Sequence, residues 1–366
     1  MTSAPSPEDV ALARAAAARP LASAVATDPG LPGRLATADW SAGTIDEGGQ
    51  FHRVLVLPGT GAVRITRTAQ AAQLLPDRMA VVELLGTTPA LPFALPVPLT
   101  EVVTAGVTVR PGEVAGPREA AGSREGTAAV VQEFLPGQPH PPHEGDEATL
   151  RGLCRTLAGI QTAPLAPHLG PPFAYRGPWT ARKVAEVQSV PTQLVRAYGP
   201  AAWTGEGAAS AERWAGTVAT LTDTATEWTR RPVVPPSLVH GDLAGHNMRW
   251  QRCGGGEDGG GGRWELTGIL DWDLAAVWDP ALNPAYLSLW HGEEKLEAIA
   301  RSADEALRAR VWLGWMALES VYDASLREAP GHPEAPPNWA KLLRKVLPRI
   351  ERAVAAEASW RAGATR

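Results

Sequence analysis

Only two cysteines, Cys154 and Cys253, occur in the 366 residues, and they lie far apart without metal-ligand spacing. That excludes a disulfide scaffold and a zinc site, and leaves two free thiols suited to a reducing cytoplasm. Long apolar runs are missing too: the chain opens MTSAPSPEDV and carries no early stretch of signal-peptide or membrane-span length. A cytoplasmic protein without a membrane partner is expected. Net positive charge is also lacking, with a formal charge of -5 and a pI near 5.9. No broad basic face is left to neutralise a phosphate backbone, so nucleic acid is excluded as a partner. Lysine is scarce beside arginine, and the first is Lys183. Any cationic role before that point must fall to arginine or histidine. What the chain does have is 44% hydrophobic residues, enough for a sizeable core divided between two lobes.

Residues 1–35 are rich in Ala and Pro, and Ser6, Pro7 and Asp9 mark a helix start leading into ALARAAAA, read as a peripheral N-terminal helical extension. From Trp40 the pattern changes. FHRVLVL and AVRITR alternate, carry β-branched residues and are separated by PGTG, which predicts an antiparallel hairpin. A helix over Asp77 to Leu85, a strand at EVVTAGVTV, a mobile loop from Pro111 to Gly126 and a strand at AAVVQEFL complete a small lobe, 36–135. PGQPHPPHEGD reads as a linker, and 136–366 as a mainly helical lobe. There Leu150, Leu153, Leu157 and Ile160 share one helix face, and Trp214, Val218, Leu221 and Trp228 line another. The glycine-rich CGGGEDGGGG lacks the Lys and Ser/Thr of a phosphate loop and joins two strands, so it is expected to be a hairpin tip.

The segment HGDLAGHN, residues 240–247, sets Asn247 five positions after Asp242. Protein kinases use this interval because one turn must aim a carboxylate at a hydroxyl and an amide oxygen at magnesium. Asp271 then ends the apolar strand LTGILDW, where the kinase plan needs a metal-binding Asp.

HGDxxxxN, an apolar strand, Ile-Leu-Asp-Trp-Asp and the later pair Asp279-Pro280 together resemble the aminoglycoside phosphotransferase family. The resemblance runs from about Trp40 to Trp290 and implies an α+β, protein-kinase-like fold of two lobes: a small antiparallel-sheet N-lobe that binds nucleotide and a larger, mainly helical C-lobe that holds the catalytic loop. It implies transfer of a γ-phosphate from ATP or GTP, with Mg²⁺, to the hydroxyl of a small-molecule alcohol. Asp242 would be the catalytic base, and Asn247 and Asp271 the metal ligands. AVRITR resembles the phosphate-contacting strand, with Arg64 as its cation, and AAVVQEFLPGQP resembles the hinge, where the backbone of Gln132, Glu133, Phe134 and Leu135 would meet the base.

Some positions depart from that pattern. Arg78 stands where the helix would present a Glu to Arg64, leaving Asp77 or Glu83 as substitutes; Gln161 replaces a His, and Asn283 replaces an acidic residue. His240 is expected to brace the loop rather than act as base, and His246 to be structural or close to the substrate. Asp273 could support the metal, face substrate or cap a helix. On the helix VWLGWMALESVYDA, Trp312, Trp315 and Tyr322 read as core. The segment DWDLAAVWDPALNPAYLSLWHGEE offers Asp273, Asp279, Glu293 and Glu294 among Trp278, Tyr286 and Trp290. Any of these facing the cleft would suit a cationic, partly apolar acceptor. Aminoglycoside- or macrolide-type antibiotics are the acceptors implied. A kinase of choline, homoserine or a sugar amine, or a pseudokinase that binds nucleotide without transferring phosphate, are the alternatives.

Overall fold

The computed structural model describes residues 2–22, 28–49, 51–88, 91–105, 126–140, 145–171, 173, 176–203, 211–253, 263–328 and 335–364. The chain forms two compact units: Met1–His140, Gln161–Leu169 and His246–Asp273 make the first, and Pro141–Ile160, Gly170–Gly245 and Leu274–Arg366 the second. The class is α+β, an antiparallel-sheet unit and a helical unit, as expected.

The first unit is built on six antiparallel strands in the order β1-β2-β3-β4-β6-β5. These are β1 (Thr2–Ser3), β2 (Thr44–Asp46), β3 (His52–Leu57), β4 (Gly61–Thr66), β5 (Val103–Ala105) and β6 (Thr127–Gln132). The hairpin read from FHRVLVL and AVRITR is β3–β4, in the register Val54 to Arg64 and His52 to Thr66. Alternation assigns the two faces of the sheet. Val63, Ile65, Ala129 and Val131 pack on the N-terminal helices α1 (Pro7–Ala17) and α2 (Leu31–Thr37), while Ala128 and Val130 on the other face pack on helix α3 (Ala69–Gly86). Helix α3 starts earlier than the expected Asp77, because Thr68 caps it through Ala71 N–H at 3.1 Å and Pro76 is accommodated inside it. The hairpin β8 (Met248–Cys253) and β9 (Arg263–Ile269) belongs to this unit.

Two features depart from the linear division into 1–35, 36–135 and 136–366. First, 1–35 is not peripheral: Ala13, Ala16 and Leu35 are at most 1% exposed, β1 pairs with β2, and Asp9 meets Arg53 at 2.8 Å. An alanine face has too little apolar side chain to stand out in the sequence, yet it lets a helix approach a sheet closely. Second, Gln161–Leu169 and His246–Asp273 group with the sheet although they follow the linker. The expected loop from Pro111 to Gly126 and the glycine-rich tip lie almost wholly outside the described residues.

The second unit holds α4 (Glu147–Gly159), α5 (Ala181–Tyr198), α6 (Ala211–Arg230), α7 (Leu282–His291), α8 (Leu296–Ile299), α9 (Ala303–Arg327) and α10 (Trp339–Ala364), with the two-stranded ladder of β7 (Ser237–Val239) and β10 (Ala276–Trp278). Leu150, Leu153, Leu157 and Ile160 are buried, as are Trp214, Val218, Leu221 and Trp228, so both faces read from the 3.6-residue period are core. Helices α9 and α10 approach so closely at Gly314 that any Cβ there would collide with the Ala353 side chain. Among the described residues no helix is long and apolar enough to cross a membrane.

Candidate functional site

In the sheet unit, Arg64 sits opposite Val54 and Val130 on the α3 face, and His52, two residues along the neighbouring strand, is its diagonal neighbour on that face. Arg64 is 6% exposed, and its Nη2 donates to Asp271 Oδ1 at 2.8 Å and to Asp273 Oδ2 at 2.6 Å. His52 Nδ1 lies 3.1 Å from both Arg64 Nη2 and Asp273 Oδ2. Burial works against the Arg64 charge, but Asp273 and Asp271 hold its pKa above the ordinary arginine value. The same holds in mirror image for Asp273, where burial is outweighed by Arg64 and His52 and the carboxyl is held below the usual range.

The carboxylates come from the end of the β8–β9 hairpin. Met248 pairs with Ile269, and Leu270 N–H then donates to the Asn247 carbonyl at 2.7 Å. Asn247 and the residue before Asp271 are thereby bound side by side. Asp271 itself has φ +59°, the left-handed region that costs most residues free energy but that Asp tolerates better than most. Its side chain is 44% exposed against 11% for Asp273. The neighbouring Trp272 is buried and its Nε1 donates to the Ile269 carbonyl at 3.2 Å.

The carboxylates that pair with Arg64 come from the end of the β8–β9 hairpin and not from α3. Asp77 meets His168 at 3.0 Å, and the carboxylates on Arg64 are Asp271 and Asp273. Arg78 is buried, its Nη1 has no hydrogen-bond partner, and burial pushes its pKa down, with Asp273 and Asp77 opposing and Arg64 adding to the shift. Of the hinge residues, Gln132 pairs with Ala62 and donates from Nε2 to the Pro96 carbonyl at 2.7 Å, and Glu133 N–H donates to Val97 at 2.9 Å. Phe134 and Leu135 follow as the chain leaves the sheet, with Leu135 packed over Gly268.

The second unit contains Asp242. β7 delivers His240, fully buried, whose Nδ1 accepts from Asp242 N–H at 3.2 Å. An Nδ1 that accepts from the backbone holds the loop, which is the bracing role expected of this residue. Asn283 locks the same turn, its Oδ1 accepting from His240 N–H at 3.1 Å and its Nδ2 donating to the Leu238 carbonyl at 2.9 Å. The sequence marked Asn283 only as a departure, and its role emerges from those two bonds. Asp242 is half-buried between Gly241 and the fully buried Leu243 and Ala244, while His246 is exposed.

Gly241 has φ +84°, and a Cβ there would run into the Leu274 carbonyl. Gly241→Ala is therefore expected to destabilise the fold by at least about 1–3 kcal/mol and to reduce turnover by at least about tenfold through the displaced loop. Thermal unfolding and turnover of the variant check both effects.

The acidic residues beyond the site are committed elsewhere. Asp279 is buried and accepts from Arg308 Nε at 3.1 Å, Trp312 Nε1 at 2.9 Å and Ala281 N–H at 3.0 Å. Glu293 accepts from Arg349 Nε at 2.7 Å and Arg352 Nη2 at 2.6 Å, and Tyr286 is buried. Asp273, Asp279 and Glu293 thus serve internal ion pairs rather than a cationic acceptor. Trp312 and Trp315 are core, in tilted ring contacts with Phe173 at centroid separations of 5.8 and 4.2 Å.

The described residues contain no group of three or more His, Cys, Asp or Glu able to hold a metal by themselves. Asn247 and Asp271 offer hard oxygen donors at one hairpin end, a set that suits magnesium, which takes one or two protein oxygens and completes its shell with water and phosphate.

A family model described as the phosphotransferase enzyme family matches residues 41–318. Viomycin phosphotransferase from Streptomyces vinaceus is 27% identical over 277 residues, covering 74% of this chain and 82% of that protein. Among solved structures, the GDP complex of an aminoglycoside 2′-phosphotransferase is 16% identical with a TM-score of 0.43, covering 86% of this chain and 92% of that one. A macrolide 2′-phosphotransferase from Brachybacterium faecium is 18% identical with a TM-score of 0.41, covering 82% and 91%.

Proposed function

Because the chain belongs to the phosphotransferase enzyme family, we propose that it moves the γ-phosphate of ATP or GTP to a hydroxyl of an antibiotic. The observation that carries this reading is the meeting of Arg64 with Asp271 at the hairpin end that also holds Asn247, five residues after Asp242 in the chain. A magnesium ion held by Asn247 and Asp271 would supply charge neutralisation on the phosphates. Arg64 presents a planar fork to phosphate oxygens, and the segment Gln132–Leu135 meets the base. Asp242, with its backbone N–H fixed on His240, orients the acceptor hydroxyl and takes its proton.

Arg64→Ala is expected to raise the nucleotide KM by about 10-fold or more while the acceptor KM stays within about twofold, with Arg64→Lys intermediate. Steady-state kinetics with each substrate varied in turn gives the comparison. The opposite ranking would place Arg64 on the acceptor.

For the acceptor class, the relative named for viomycin supports an antibiotic hydroxyl, of which aminoglycosides and macrolides are the other kinds to compare. The purified chain with Mg²⁺ and nucleotide would be offered viomycin, kanamycin, a macrolide, choline and homoserine, and the products weighed by mass spectrometry. Phosphorylation of an antibiotic is expected. Selective phosphorylation of choline or homoserine would replace the antibiotic by a metabolite and leave the kinase reading standing.

A further inference from the structure

The helix that covers the Arg64 face of the sheet turns a cation towards it. Leu75, Arg78 and Met79 form one buried stripe of α3; Leu75 and Met79 pack on Val130, which pairs with Arg64 across β6. A carboxylate from α3 is thus not what holds Arg64. Two carboxylates reach its Nη2, and they differ in kind. Asp271 is nearly half exposed on a left-handed backbone, whereas Asp273 is 11% exposed and makes the shorter contact, 2.6 Å.

His52 completes the arrangement. An arginine can only donate and a carboxylate only accept, so His52 Nδ1, at 3.1 Å from both, can satisfy only one of them. The Arg64 nitrogen already has two carboxylate oxygens; the Nδ1 proton therefore goes to Asp273. A strand histidine and a strand arginine, diagonal neighbours on β3 and β4, meet one oxygen of a buried carboxylate side by side.

We propose that Asp273 is the positioning residue of Arg64, holding its guanidinium on the phosphates and tying it to the same turn that carries Asp271. This rests on the reading of Arg64 as a phosphate contact. Asp273 acts through Arg64 and touches no substrate, so its loss should look like a fraction of the loss of Arg64.

The test is a double-mutant cycle read as the dissociation constant of a fluorescent ATP analogue with Mg²⁺, without turnover. Asp273→Ala is expected to weaken binding by a smaller factor than Arg64→Ala does, about 3–10-fold, because it loosens the guanidinium without removing it. In an Arg64→Ala background the same substitution should cost less than about twofold, because the group it positions is already gone. The acceptor KM should not follow the nucleotide KM. Where alanine unfolds the chain, judged by thermal unfolding, Asp273→Asn and Arg64→Lys form the same cycle in smaller steps. Wild-type affinity in a folded Asp273 variant, or full additivity with Arg64→Ala, overturns the positioning role. Undiminished affinity in Arg64→Ala alone instead sinks the phosphate reading of Arg64, which keeps the two failures apart.

Discussion

Asp242→Asn is expected to lower kcat by about 10²–10⁴-fold, the span that a positioned general base contributes, while nucleotide affinity stays within about twofold. The amide keeps the shape of the carboxylate but cannot take the hydroxyl proton. The backbone bond from Asp242 N–H to His240 Nδ1 is unaffected by the change, and so is the Asn283 lock on the turn. The loop should therefore keep its course, and the loss should fall on kcat rather than on the nucleotide KM. Rates measured at saturating acceptor, beside nucleotide binding by titration, separate the two. Near-normal turnover in this variant would remove Asp242 from the chemistry.

The largest expected loss of stability lies at a buried ion pair of the helical unit. Glu319 is 1% exposed, and both its oxygens accept from Lys183 Nζ, at 2.8 and 2.7 Å. The ammonium also lies 4.8 Å from the centre of the Trp179 ring and 4.7 Å from that of Tyr322, so it is enclosed by aromatic faces as well as paired. Burial outweighs Lys183 and pushes the Glu319 pKa up. Lys183→Met would leave that buried carboxyl group with only the longer Arg176 contact, 3.9 Å, at a cost of up to about 3–5 kcal/mol. Replacing the pair together, Lys183→Met with Glu319→Leu, should recover most of the loss, since no buried charge then remains. Denaturant unfolding of the three proteins reads the effect. Equal destabilisation in the single and double variants would mean that packing, not charge, dominates at this position.

Much of the site could be read from the chain because its spacing is its chemistry. The five-residue step from Asp242 to Asn247 and the strand ending at Asp271 are local patterns, and the β3–β4 hairpin that carries Arg64 follows from alternation around PGTG. The partners were harder. Asp271 lies 207 residues from Arg64, and His52 enters the cluster only through the diagonal of the hairpin, which a search for motifs does not weigh. Asp279 and Glu293 look free for an acceptor in the sequence because their arginines, Arg308, Arg349 and Arg352, lie one or more helices further on. The N-terminal helix is hard to place for a different reason: its packing surface is alanine, whose small side chains signal little in sequence and pack tightly in space.

Transfer of a nucleotide phosphate to an alcohol can be followed by isotopic tracing. ATP and GTP labelled in the γ-phosphate would be incubated with the chain, Mg²⁺ and the acceptor panel, and the label followed through separated products. Label covalently attached to an acceptor hydroxyl is expected, dependent on Mg²⁺ and lost in Asp242→Asn. Label that stays on the nucleotide with every acceptor, or that appears only as free phosphate, would rule out transfer to an alcohol.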